Sequence, residues 1–68
     1  MENLKKARKA KGWSLEQLAA QVGINRSNIF CYEKGSKNPS APVLSTLADA
    51  LETTTDYLLG RTEKEVVA

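Results

Sequence analysis

Residues 14–35 read SLEQLAAQVGINRSNIFCYEKG, and the spacing within this stretch decides the fold. Ser14 opens a helix as a capping box: its hydroxyl takes an orphan amide of the first turn, and Gln17 reaches back to the cap. Leu15, Leu18, Ala19 and Val22 then recur at helical spacing. Gly23 supplies the left-handed conformation that stops this helix. Only Gly23-Ile24-Asn25 separates it from the next one, which Asn25 caps, residues 26–34 form and Gly35 closes. A three-residue turn is too tight for antiparallel neighbours, so the two helices must cross steeply. Ala19 permits the close approach, Ile24 plugs the gap, and Ile29 and Tyr32 anchor the second helix inward.

On a 100° wheel Ile29, Tyr32 and Glu33 gather on one side of that helix with Asn25. Arg26, Ser27, Phe30, Cys31 and Lys34 occupy the other. Such a pair, with its second helix left free on a polar face, has the geometry of a helix-turn-helix. Around it three more helices are expected. Residues 2–11 favour helix by propensity, with Leu4, Ala7 and Arg8 inward, and Gly12 and Trp13 follow as stop and anchor. After the polar loop Ser36-Lys37-Asn38-Pro39, Ser40 caps a helix through Leu51 with Pro42 in its first turn. Its apolar stripe is Val43, Leu44, Leu47, Ala48 and Leu51. Thr54 or Thr55 caps a short fifth helix, Asp56 to Leu59, ended by Gly60. The expected architecture is all-α, a compact five-helix bundle forming one domain over residues 1–60 with a tail at 61–68.

Composition narrows the function. At 68 residues a single small core is available, and the lone cysteine, Cys31, rules out an internal disulfide. With no histidine there is no ligand set for a structural zinc, so no metal or cofactor is expected. Enzyme chemistry is likewise not expected: the chain offers no partner for Cys31, no phosphate-cradling glycine loop and no paired buried carboxylates. No apolar run has the length of a membrane span, no signal peptide is evident, and nothing marks a small-molecule pocket. A reducing, cytoplasmic setting is the expectation. The net charge of +2 says little, but its distribution says more. Residues 1–40 carry eight Lys/Arg against three Glu, a net +5, and residues 41–68 carry two Lys/Arg against five acids, a net −3. One basic half fits a polyanion docking on one side, although a lysine-rich solvated helix accounts for the same count.

The chain resembles the lambdoid phage repressor/Cro (Xre-type) helix-turn-helix proteins over nearly its whole length, from Leu4 to Gly60. The resemblance is carried by Leu4…Arg8, Lys11-Gly-Trp-Ser14, Leu18-Ala-Ala, Val22-Gly-Ile, Ile29…Tyr32-Glu-Lys-Gly35, Pro39-Ser40, Leu47-Ala-Asp-Ala-Leu51 and Asp56-Tyr-Leu-Leu-Gly60, in order and at the family spacing. It implies a bacterial or phage-encoded regulator, most often a repressor. Its third helix lies in the major groove, and two copies sit on a pseudo-palindromic operator with half-sites roughly one helical turn (~34 Å) apart.

The positions matching the family's base-reading residues are Arg26, Ser27 and Cys31, with Asn28 beside them. Arg26 suits a bidentate contact to guanine. Backbone contacts are expected from Ser14, Asn25, Lys34, Lys37 and Asn38, where helix ends and the loop present donors. Arg8 and Glu33 match a structural pair linking the first and third helices. Tyr57, Leu58 and Leu59 are divided between closing the bundle and forming a homodimer interface, which Val66 and Val67 would extend.

Three departures stand out: Leu15 where the family carries glutamine, the unusually apolar Phe30 and Cys31 on the reading helix, and Glu52 in place of a glycine after the fourth helix. Phe30 either touches a thymine methyl, a sugar or a protein partner, or lies back on its neighbours. Cys31 is read as a small contact residue, with a redox switch as the alternative. A protein-interaction module on the same fold, such as the antitoxin of a toxin–antitoxin pair, is the alternative function.

Overall fold

The computed structural model describes residues 1–62. Five helices follow one another: α1 (Glu2–Ala10), α2 (Leu15–Val22), α3 (Arg26–Lys34), α4 (Ala41–Ala50) and α5 (Thr55–Leu58), with no strand among the described residues. Their boundaries are set by local chemistry. At the start of α2 the Ser14 hydroxyl accepts from the Gln17 amide at 3.1 Å, and the Gln17 side-chain oxygen accepts from the Ser14 amide at 2.7 Å. At the start of α3 the Asn25 carboxamide accepts from the Ser27 amide. The Thr54 hydroxyl does the same for Tyr57 at α5, which decides between the two candidate threonines. Ser40 precedes α4, but its side chain makes no capping hydrogen bond. There the fixed φ of Pro42 in the first turn starts the helix instead.

Each helix contributes one fully buried aliphatic side chain to a single core: Leu4, Leu18, Ile29, Leu47 and Leu58. Ala7, Tyr32, Leu44, Ala48, Leu51 and Tyr57 complete it, and Trp13, Leu15, Ala19, Val22, Ile24 and Val43 pack against its rim. Burying each large side chain contributes about 1.5–3 kcal/mol. Leu15, standing in the family's glutamine position, is thus half-buried and apolar in function.

The burial of Tyr57 and Leu58 revises one expectation. They are 5% and 1% exposed, so their side chains belong to the core of this chain and offer almost no surface to a second copy. α5 has a single turn, and both must face inward for it to cover the ends of α1 and α4. Of the three residues assigned to a dimer interface, only Leu59 projects outward, at 46% exposure. Val66 and Val67 lie outside the described residues.

The corner between α4 and α5 holds the one non-glycine residue with positive φ among the described residues. Glu52 sits at φ 54°, the left-handed conformation that glycine adopts at no steric cost. Here a glutamate bears the strain of that conformation. Its carboxylate forms an ion pair with Lys11, tying this corner to the end of α1.

Candidate nucleic-acid interface

The turn between α2 and α3 is built as its residues dictate. Gly23 adopts φ 68°, and both its amide and that of Ile24 donate to the Ala19 carbonyl. Ile24 tucks against the core between the two helices, and Ile29 and Tyr32 bury the inner face of α3. The rotation of α3 about its axis is then fixed by an ion pair. Arg8 Nε and Nη2 donate to the two carboxylate oxygens of Glu33 at 2.7 and 3.1 Å, and Arg8 Nη1 donates to the Trp13 carbonyl at 2.8 Å. Both side chains are at least nine-tenths buried. A fork-to-fork bond of this kind resists twisting as well as separation. It ties α1, the Trp13 link and α3 together through Arg8 and Glu33. The amino group of Met1 adds two further bonds to α3, donating to the carbonyls of Tyr32 and Glu33.

With its inner face locked, α3 presents Arg26, Ser27 and Phe30 fully outward, and Asn28 and Cys31 in part. Lys34 ends the helix, and Gly35 at φ 87° turns the chain into the loop that carries Lys37 and Asn38. This surface is not a row of independent side chains. Lys37 Nζ donates to Asn28 Oδ1 at 3.1 Å, so the Asn28 carboxamide has its oxygen occupied and its NH2 left to donate. Arg26 Nε lies 3.4 Å from a carboxylate oxygen of Glu16, reaching from the first turn of α2. Lys34 Nζ sits over the Phe30 ring, 5.5 Å from its centroid.

Of the residues expected to touch phosphates, Ser14 and Asn25 occupy the amino ends of α2 and α3, where helix dipoles favour an anion, but both already use their side chains as caps. Lys34 and Lys37 flank the outer face of α3. Asn38 departs from this group: it lines a surface groove with Met1, Asn3, Pro39 and Leu59, beside α1 and α5.

The sequence reading missed Glu16 and the orienting role of Lys37. Glu16 lies ten positions before Arg26, and only the steep crossing of α2 and α3 brings them together. Once that crossing was read from the turn, a carboxylate in the first turn of α2 was the available signal for it.

Two short helices at a tight glycine turn, the second locked inward by an ion pair and outward-facing with polar and cationic groups, define a helix-turn-helix domain. The chain belongs to the helix-turn-helix family whose model matches residues 4–58. It is 41% identical over its whole length to the HTH-type transcriptional regulator AnsR of Bacillus subtilis, covering 59% of that protein. It is 38% identical over 94% of its length to an SPbeta prophage-derived HTH-type regulator, YonR, of the same organism, covering 59% of it. It also shares 38% identity, over 88% of its length, with the cryptic phage CTXphi transcriptional repressor RstR of Vibrio cholerae, covering 54% of that protein. The chain thus spans somewhat under three fifths of these relatives. No solved structure matches it. Among the described residues, no helix is long and apolar enough to cross a membrane.

Proposed function

We propose that this chain is a domain that reads double-stranded DNA by inserting α3 into the major groove, and that it serves transcriptional repression by occupying an operator. The observation that carries this reading is the outer face of α3: Arg26, Ser27, Asn28 and Cys31 lie exposed or half-exposed on a helix whose inner face is fixed by Arg8–Glu33. A recognition helix needs this combination, since base discrimination demands side chains placed within fractions of an ångström and free of the core. In this reading Arg26 addresses guanine. Asn28, with its oxygen held by Lys37, donates to a base acceptor or a phosphate. Lys34, Lys37, Asn38 and the amide ends near Ser14 and Asn25 take the backbone.

The resemblance to regulators and to a phage repressor supports the regulatory role and a cytoplasmic site of action. A homodimer on a pseudo-palindromic operator belongs to the same reading, with Leu59 as the outward apolar residue at the end of α5. No chemistry on the DNA is part of this reading.

The test is selection from random-sequence duplexes followed by titration at several salt concentrations. An enriched palindrome, bound with a steep negative dependence on salt of about −0.9 per phosphate contacted, is the expected result. Binding that saturates without any enriched sequence, or no binding at low salt, overturns it. The second of these outcomes would favour a protein-binding module such as an antitoxin, for which the exposure of Phe30 is the structural support.

A further inference from the structure

Phe30 is 48% exposed on the same side of α3 as Arg26 and Lys34, and it is one of two large apolar side chains so exposed among the described residues. A single exposed apolar side chain is ordinary on a protein surface, but this one stands in the middle of the outward face of α3 between two cations. Its surroundings indicate what covers it. Arg26 lies one turn before it and Lys34 one turn after, and the Lys34 ammonium rests 5.5 Å from the ring centroid. The acid of this helix, Glu33, is turned inward to Arg8. An apolar partner surface would have to strip water from both cations to reach the ring. A polyanion satisfies Lys34 and can draw Arg26 from its exposed pair with Glu16, and needs only one apolar feature to meet the ring. In the major groove that feature is the 5-methyl group of thymine.

We propose that Phe30 is a specificity-determining residue whose ring contacts a thymine 5-methyl in each half-site, with Lys34 holding the ring in place and directing its own charge to the adjacent phosphate. The proposal rests on the reading of α3 as the recognition helix. It adds an apolar element to a face that otherwise reads bases by hydrogen bonds. Because Lys34 occupies the ring, the ring presents its remaining surface in one orientation, and this makes the contact selective for a methyl at one groove position.

The experiment uses the duplex most enriched by this chain from a random pool, resynthesised with each thymine replaced singly by deoxyuridine, which removes the methyl and nothing else. Kd is measured for the unaltered chain, for Phe30→Ser and for Arg26→Ala, with helix content recorded for each. One thymine per half-site is expected to lose about fourfold in affinity on losing its methyl, the worth of one buried methyl group. Phe30→Ser should lose a similar factor and become indifferent to that one replacement while keeping its helix content. If the unaltered chain is indifferent to every uracil while Arg26→Ala abolishes base preference, the recognition reading stands and the role of Phe30 falls. If Phe30→Ser weakens all duplexes equally, or binds as before with an unchanged uracil profile, the methyl contact also falls. A pool with no enriched sequence removes the recognition reading itself, and this inference with it.

Discussion

At the scale of single residues, three charged groups on the outer face have separable consequences because each is held differently. Arg26 is exposed and paired with Glu16 at 3.4 Å, an ion pair worth at most about 1 kcal/mol in water. Arg26→Ala should therefore leave thermal stability nearly unchanged and cost about 1–3 kcal/mol of discrimination at one base position, read as altered selection from a random pool. Lys37→Ala should weaken binding and flatten the salt dependence by about one phosphate, and, by releasing the Asn28 carboxamide, relax preference at any base Asn28 addresses. Glu16→Gln should act in the opposite direction. In the proposed complex its carboxylate would compete with DNA for Arg26 and repel phosphate, so removing the charge should tighten binding a few-fold at low salt, with the gain shrinking as salt screens it. An unchanged affinity across salt concentrations would show that Arg26 and Glu16 do not meet the same DNA. The buried pair behaves differently again. Glu33→Gln leaves Arg8 with an uncompensated charge in a dry setting, and a loss of about 3–5 kcal/mol in denaturant-melt stability is expected.

Elements were more legible than the contacts between them, for a physical reason. The ends of α2 and α3 are written in short-range chemistry, Ser14 with Gln17, Gly23, Asn25 and Gly35, and each acts within four residues of where it stands. The same holds for the inward stripe of α1, where Leu4, Ala7 and Arg8 are buried as the spacing required. The Arg8–Glu33 pair was expected from family likeness rather than from spacing. By contrast, Glu16 meeting Arg26, Lys37 meeting Asn28 and Lys11 meeting Glu52 depend on how elements lie across one another. The division of Tyr57, Leu58 and Leu59 between core and surface depends on the direction from which a one-turn helix approaches the bundle, which four residues of pattern do not encode. The α4–α5 corner yields the element-scale test. Glu52 at φ 54° bears a left-handed cost of about 1–2 kcal/mol, while its exposed pair with Lys11 returns less than about 1. Glu52→Gly should raise stability by several tenths to about 1 kcal/mol, an increase in Tm of a few degrees, and a fall in Tm would mean that the Lys11 tie outweighs the strain. Next to it, the Thr53 hydroxyl oxygen is buried without a hydrogen-bond partner, so Thr53→Val should be neutral or stabilising in the same melt.

For the whole molecule, size and symmetry set the mode of binding. The fold spans 27 × 23 × 19 Å between Cα extremes, shorter in every direction than the ~34 Å between half-sites one helical turn apart. One copy can place its α3 in one groove segment only, and a palindrome must then be read by two copies. In the two-fold contact proposed for the end of α5, Tyr57 and Leu58 are buried within their own chain and Leu59 would be the apolar centre. A symmetric interface uses each residue twice, so partial burial of two leucines contributes about 2 kcal/mol, or roughly thirtyfold in cooperativity. Leu59→Lys should remove that factor. Binding to a duplex with two half-sites should fall to the affinity of a single half-site, with stoichiometry reached in two independent steps, while half-site affinity and Tm stay as they were because the side chain is not part of the core. Titration of one-site and two-site duplexes with both chains measures this directly. If Leu59→Lys keeps cooperative occupancy, the two copies meet through another surface or communicate through the DNA, and the end of α5 has no part in assembly.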